Sequence, residues 1–187
     1  MTASLLCQAS LSQLLIIDVQ ERLAGSMEAS VLQGLVRNTN ILVEAATTLD
    51  VPILRTEQYP RGLGPTLPDI ADKLPAAQRA VEKTCFSCCG ASGIASATSN
   101  ETRPQIILTG METHICVLQT ALDLQLRGNQ VFVVADAVCS RRKQHHQNAL
   151  ARLQQAGIVV SNTESVLFEW LQDASHPQFK SLSKLIR

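Results

Sequence analysis

Aromatic side chains are scarce in this 187-residue sequence, which has four Phe, one Trp and one Tyr. A core must therefore be assembled from Leu, Ile, Val and Ala, and platforms for stacking nucleic-acid bases are few. Net charge is missing as well, because 16 Lys and Arg face 16 Asp and Glu. That removes the electrostatic reason to expect nucleic acid or an anionic membrane as a partner. The basic cluster Arg141-Arg142-Lys143 reads as the solvated start of a helix rather than a phosphate-reading patch. No apolar run reaches the roughly 20 residues of a membrane span. The opening MTASLLCQAS lacks the positive n-region of a secretory signal, and Arg22 is the first basic residue, so a mitochondrial transit peptide is not expected either. Internal repeats and low-complexity linkers are absent, and no histidine precedes His114.

What is present fits a globular chain: 45% hydrophobic and 17% charged residues. The length suits one domain, residues 1–187, with a proper core. Six cysteines suffice for three bridges, but a chain of this size does not need them. The expectation is a reduced, cytoplasmic protein.

Short β-rich runs alternate with longer helical ones. Residues 14–19 are apolar almost throughout, as in a strand buried on both faces. Helical spacing follows over residues 31–49, then a second strand over 51–55 with Pro52 near its start. Residues 56–78 carry four prolines and two glycines and read as irregular. Further strands are expected at 80–83, 105–109, 130–135 and 158–160, with helices after 110 and over 144–155. The reading is an α/β fold, a three-layer αβα sandwich around a mostly parallel, Rossmann-like six-stranded sheet. Such sheets place their sites at the carboxyl ends of the strands.

Three reactive residues fall at those ends: Asp18, Lys83 and Cys116. Singly, each has a plain alternative, as a helix cap, a solvated lysine and a core thiol. Together they suit acyl transfer. A thiolate is favoured at a helix N-terminus, and a neighbouring ammonium lowers its pKa further. The aspartate would take the thiol proton and return it to a leaving amine. Backbone N–H groups of the turn at 110–112 would receive the oxyanion. Other chemistry is less supported. Cys85-Phe86-Ser87-Cys88 is a C-x-x-C, but neither a second such pair nor paired histidines complete a zinc set. His114 lies two residues from Cys116 and on a helix would point elsewhere. His145 and His146 read as solvated helix residues, and Arg61 as an exposed loop arginine or a carboxylate contact.

The segments IIDVQ (16–20), EKTCFS (82–87) and GMETHICV (110–117) resemble the three signature segments of the isochorismatase-like cysteine hydrolases, a superfamily that includes nicotinamidases and carbamoyl-hydrolysing amidases. The segment TEQYPRGLGPT (56–66) further resembles isochorismatase-domain proteins of unassigned substrate. The resemblance implies an Asp18-Lys83-Cys116 triad with Cys116 as nucleophile. It also implies a non-proline cis peptide at Met111–Glu112 that aims the Glu112 and Cys116 N–H groups at the oxyanion, and Gln20 lining the substrate pocket. Where nicotinamidases carry an Asp-Trp-His metal motif, this sequence has Glu57-Gln58-Tyr59. No metal or other cofactor is therefore expected, nicotinamide is a poor substrate guess, and Tyr59 becomes a pocket wall.

The leading expectation is a metal-independent cysteine hydrolase of a small molecule, cutting an amide or related C–N bond. Retention of Cys116 places it on the amide side of a superfamily whose parent reaction is on an enol ether. A non-catalytic, oligomeric binding or scaffold protein is the alternative, since this fold commonly forms homo-oligomers. An RNA-associated nuclease is a third, opposed by the charge balance and the few aromatics. The apolar tail at Leu182, Leu185 and Ile186 packs either on its own domain or on a neighbouring subunit.

Overall fold

Pairing of the apolar runs, in a computed structural model that describes residues 5–187, gives one six-stranded sheet in the order β3-β2-β1-β4-β5-β6. The strands are β1 Ser12–Ile17, β2 Ile53–Gln58, β3 Ala80–Lys83, β4 Gln105–Met111, β5 Gln130–Cys139 and β6 Val159–Ser161. Every pair is parallel. The longer helices are α1 Ala29–Thr48, α2 Ser92–Thr98, α3 Leu118–Leu126, α4 Lys143–Gln155 and α5 Thr163–Leu171.

The period of two sorts each strand between two cores. Leu14 and Ile16 join Ile107, Phe132 and Val134 under α1 and α5. Leu15 and Ile17 join Ile106, Leu108 and Val133 under α2, α3 and α4. A sheet covered on both faces is the three-layer αβα arrangement, and it explains why β1 is buried at all six positions. Truncating one such Leu or Ile to Ala costs about 2–5 kcal/mol. Leu182 is buried in the α1 side of this core, with Leu185 and Ile186 packed against it, so the apolar tail closes on its own chain.

Strand bounds differ from the sequence reading at the functional edge. β1 stops at Ile17, and Asp18 turns into the left-handed region at φ 51° instead of closing the strand. β2 begins two residues later than expected and continues through Thr56, Glu57 and Gln58. β5 runs to Cys139 with an irregularity: Leu108 pairs Val133, yet Gly110 pairs Val138. Five steps on β5 thus span two on β4. The strand order reverses between β1 and β4, since β2 and β3 are added on one side of β1 and β4 to β6 on the other. This is the switch point where open α/β sheets leave a crevice at their carboxyl ends.

Candidate active site

At that switch point the end of β1 delivers Asp18 and the end of β4 delivers the turn holding Cys116. Close approach of these strands depends on Gly110. Its φ is 118°, and a Cβ there would lie 2.0 Å from the Ile17 carbonyl oxygen, so only glycine fits. The following Met111–Glu112 bond is cis. Residues Thr113–Val117 then form a π-helical turn, with the Glu112 carbonyl accepting from Ile115 and Val117, before α3 begins. The first turn is wider than the α-helix expected there, a feature frequent at functional sites.

Lys83, the last residue of β3, spans the crevice. Its Nζ donates to Asp18 Oδ2 at 2.7 Å and to Gln58 Oε1 at 2.6 Å, and lies 3.7 Å from Cys116 Sγ. The carbonyls of Cys85 and Phe86 are 3.2 and 3.1 Å away. Asp18 and Lys83 form an ion pair with no side-chain exposure, and Cys116 is 6% exposed. Burial alone pulls the Lys83 pKa down, but the Asp18 carboxylate, by its charge and its hydrogen bond, holds it above the ordinary lysine value. The other carboxylate oxygen, Asp18 Oδ1, accepts from Thr56 Oγ1 at 2.7 Å.

The thiol itself behaves otherwise than the sequence suggested. Burial and the Asp18 carboxylate, which also accepts a hydrogen bond from it, push the Cys116 pKa well above the ordinary thiol value, outweighing the lowering by Lys83. The resting side chain is therefore a thiol with a carboxylate nearby rather than a preformed thiolate.

Thr56, Gln58 and Cys88 are members of this cluster that the sequence reading missed. Thr56 spends its single proton on Asp18 and so accepts from the Cys88 thiol at 3.6 Å. Cys88 is buried, its pKa pushed up to about 12 by burial and then by Asp18, and its backbone N–H donates to Thr120 Oγ1 at 2.9 Å. A usable signal existed: Thr56 and Gln58 are polar residues two apart at a strand's carboxyl end, the place where Asp18 and Lys83 also lie. The C-x-x-C pair is split, with Cys85 exposed, Cys88 buried and neither in a disulfide. Among the described residues no three His, Cys, Asp or Glu side chains gather in a metal-binding cluster.

Tyr59 lines a cleft of about 580 Å3 beside β3, together with Arg61, Glu82, Lys83 and Cys85. Its backbone is left-handed (φ 37°) and its N–H donates to the Lys83 carbonyl at 2.8 Å. Gln20 is placed differently. It is fully buried, its amide donates to the carbonyls of Gln58 and Gly64 and accepts from the Gln58 N–H. It braces the segment carrying Tyr59 and has no donor left for a ligand. His114 pairs with Ser140 Oγ at 3.0 Å and stands 3.7 Å from the Glu112 carboxylate. His146, expected in solvent, is half-buried and reaches Thr113 Oγ1 at 3.0 Å. Arg141, also expected to be solvated, binds the Glu112 carboxylate at 2.6 Å.

Comparison with known proteins gives a consistent family. The isochorismatase domain matches residues 12–165. Isochorismatase domain-containing protein 2A from Mus musculus is 41% identical over 177 residues, covering 94% of this chain and 82% of that protein. The structure of MAR1 ribonuclease from Caenorhabditis elegans superposes with a TM-score of 0.90 at 34% identity, covering 96% of this chain and 91% of that one. YcaC from Escherichia coli, an octameric hydrolase of unknown specificity, shares the fold with a TM-score of 0.89 at 22% identity, covering all of this chain and 91% of its own.

Proposed function

Since the chain belongs to the isochorismatase domain family, we propose that it is a metal-independent hydrolase that opens an amide or related C–N bond of a small molecule through a thioester on Cys116. One observation carries the reading: a single buried ammonium, Lys83 Nζ, touches the Asp18 carboxylate at 2.7 Å and lies 3.7 Å from the Cys116 sulfur. Asp18 takes the thiol proton as sulfur attacks the acyl carbon, and Lys83 stabilises the charge that passes through the sulfur. The N–H groups of Glu112 and Cys116 receive the oxyanion. Asp18 returns the proton to the leaving nitrogen, and water, deprotonated by the same carboxylate, then cleaves the thioester. The cleft lined by Tyr59 and Arg61 serves as the substrate's approach.

The test is a panel of small primary amides and N-carbamoyl compounds, read by ammonia or amine release and by a mass shift on Cys116 after acid quench. Cys116→Ser and Asp18→Asn are expected to lose activity by about 10³-fold or more. Turnover that survives in Cys116→Ala would overturn the proposal. The name of the nematode neighbour supports a second reading, RNA cleavage. RNA cut by the wild type but not by Cys116→Ser would favour it. Assembly into a homo-oligomer, as in the octameric YcaC, and a cytoplasmic location, which suits six unpaired thiols, belong to the same proposal.

A further inference from the structure

Three residues that follow β5, Ser140 and Arg141 just after the strand and His146 in α4, each grip one residue of the turn leaving β4. Arg141 Nε donates to Glu112 Oε1 at 2.6 Å, His146 Nδ1 shares a hydrogen bond with Thr113 Oγ1 at 3.0 Å, and His114 Nδ1 shares one with Ser140 Oγ at 3.0 Å. Residues 112, 113 and 114 are thus held one by one from a separate part of the chain. The irregular register of β5 makes this possible, because it sets Cys139 opposite Met111 and brings the following residues beside the turn. The Glu112 carboxylate is only 4% exposed, whereas Arg141 is 55% exposed. A buried carboxylate is costly without a partner, so the pairing fixes where Glu112 sits. The Glu112 side chain has no part in the chemistry set out above, but its backbone N–H does.

We infer that Arg141, with Ser140 and His146, positions the oxyanion turn of residues 112–116 and so controls transition-state stabilisation without touching the substrate. The inference rests on the thioester reading. A ligand-bearing cleft is not required for it, and neither histidine needs to carry charge.

Two reactions of Cys116 separate this role from general support of the fold. Iodoacetamide alkylates sulfur at a saturated carbon, with iodide leaving, and creates no oxyanion. Butanal adds the sulfur to its carbonyl carbon while the carbonyl pair moves to oxygen, which takes up the thiol proton, giving a reversible thiohemiacetal whose oxygen occupies the oxyanion position. Protection of Cys116 by butanal against alkylation, read by mass spectrometry, measures its affinity. Arg141→Ala is expected to weaken butanal about tenfold or more while alkylation without butanal stays within about twofold of the wild type. Arg141→Lys should recover part of the loss. His146→Ala, at a half-buried position, gives the same comparison should Arg141→Ala not fold. Equal loss in both reactions, or none in either, overturns the positioning role. A wild-type Cys116 that alkylates but is never protected by butanal sinks the thioester reading itself, and the clamp's catalytic role with it.

Discussion

Lys83 has more acceptors than protons. Five lie within reach of its Nζ, and an ammonium carries three N–H bonds. The short contacts to Asp18 and Gln58 take precedence, leaving the sulfur at 3.7 Å as a neighbour of the charge more than a hydrogen-bond acceptor. This explains how Lys83 lowers the thiol pKa yet loses to burial and Asp18. The consequence is testable on Cys116 alone. Its alkylation rate should rise with pH only above the range of an ordinary thiol, and Lys83→Met should move that rise further up by removing the one group that lowers it. Site-resolved alkylation from pH 6 to 11 checks this; a midpoint below the ordinary thiol value of 9.0 would contradict the burial argument. At this scale the sequence was partly legible. Asp18, Lys83 and Cys116 could be found as reactive types at strand ends, but the sign of the thiol's shift could not, because burial is a property of the folded surroundings and not of spacing.

Elements were legible where burial alone dictates residue type. The run 106–108 is apolar because β4 is covered on both faces, while β3, a partly exposed edge strand, has the bounds expected from its sequence. Legibility failed at carboxyl ends. Thr56, Glu57 and Gln58 do not look like a strand, yet they extend β2 because their side chains serve the site and its loop: Thr56 holds Asp18, Gln58 holds Lys83, and Glu57 accepts from Thr66. Local pattern and global fold part company where function is concentrated. The same holds at Arg141 and His146, whose partners lie about 30 residues away in sequence. Gly110 is the element-scale counterpart, since the approach of β1 and β4 has no room for a Cβ. Gly110→Ala should cost about 3 kcal/mol or more, given its backbone conformation and contact with Ile17. Gly34→Ala, in the interior of α1 with nothing within 4 Å of the added carbon, should be neutral or stabilise by up to about 1 kcal/mol. Urea unfolding of the two variants makes the comparison, and a Gly110→Ala protein as stable as the wild type would remove the close-approach argument.

Across the whole molecule the chain buries five of its six cysteines on both sides of the sheet, Cys7 and Cys139 under α1 and α5, Cys88, Cys89 and Cys116 on the opposite face. All five have thiol pKa values raised by burial, Cys88 and Cys139 to about 12. The folded state therefore keeps protons that the unfolded chain releases above pH 9. Where the native state binds more protons, unfolding free energy falls as pH rises. The stabilisation is complete below the unfolded thiol value and is lost progressively through the raised folded values. Each such thiol contributes up to about 1.4 kcal/mol per pH unit. Lys83, also raised, adds to the same decline above its own unfolded value of 10.5. Stability by urea denaturation should consequently fall steeply between pH 9 and 10.5 while changing little from pH 7 to 8. Cys139→Ala removes one titrating group that the proposed chemistry does not use, and should make the alkaline slope shallower by up to about 1.4 kcal/mol per pH unit, even though the lost packing lowers stability throughout. A slope that is flat above pH 9, or unchanged in Cys139→Ala, would mean that these thiols titrate alike in both states, and the case for a protonated resting Cys116 would weaken with it.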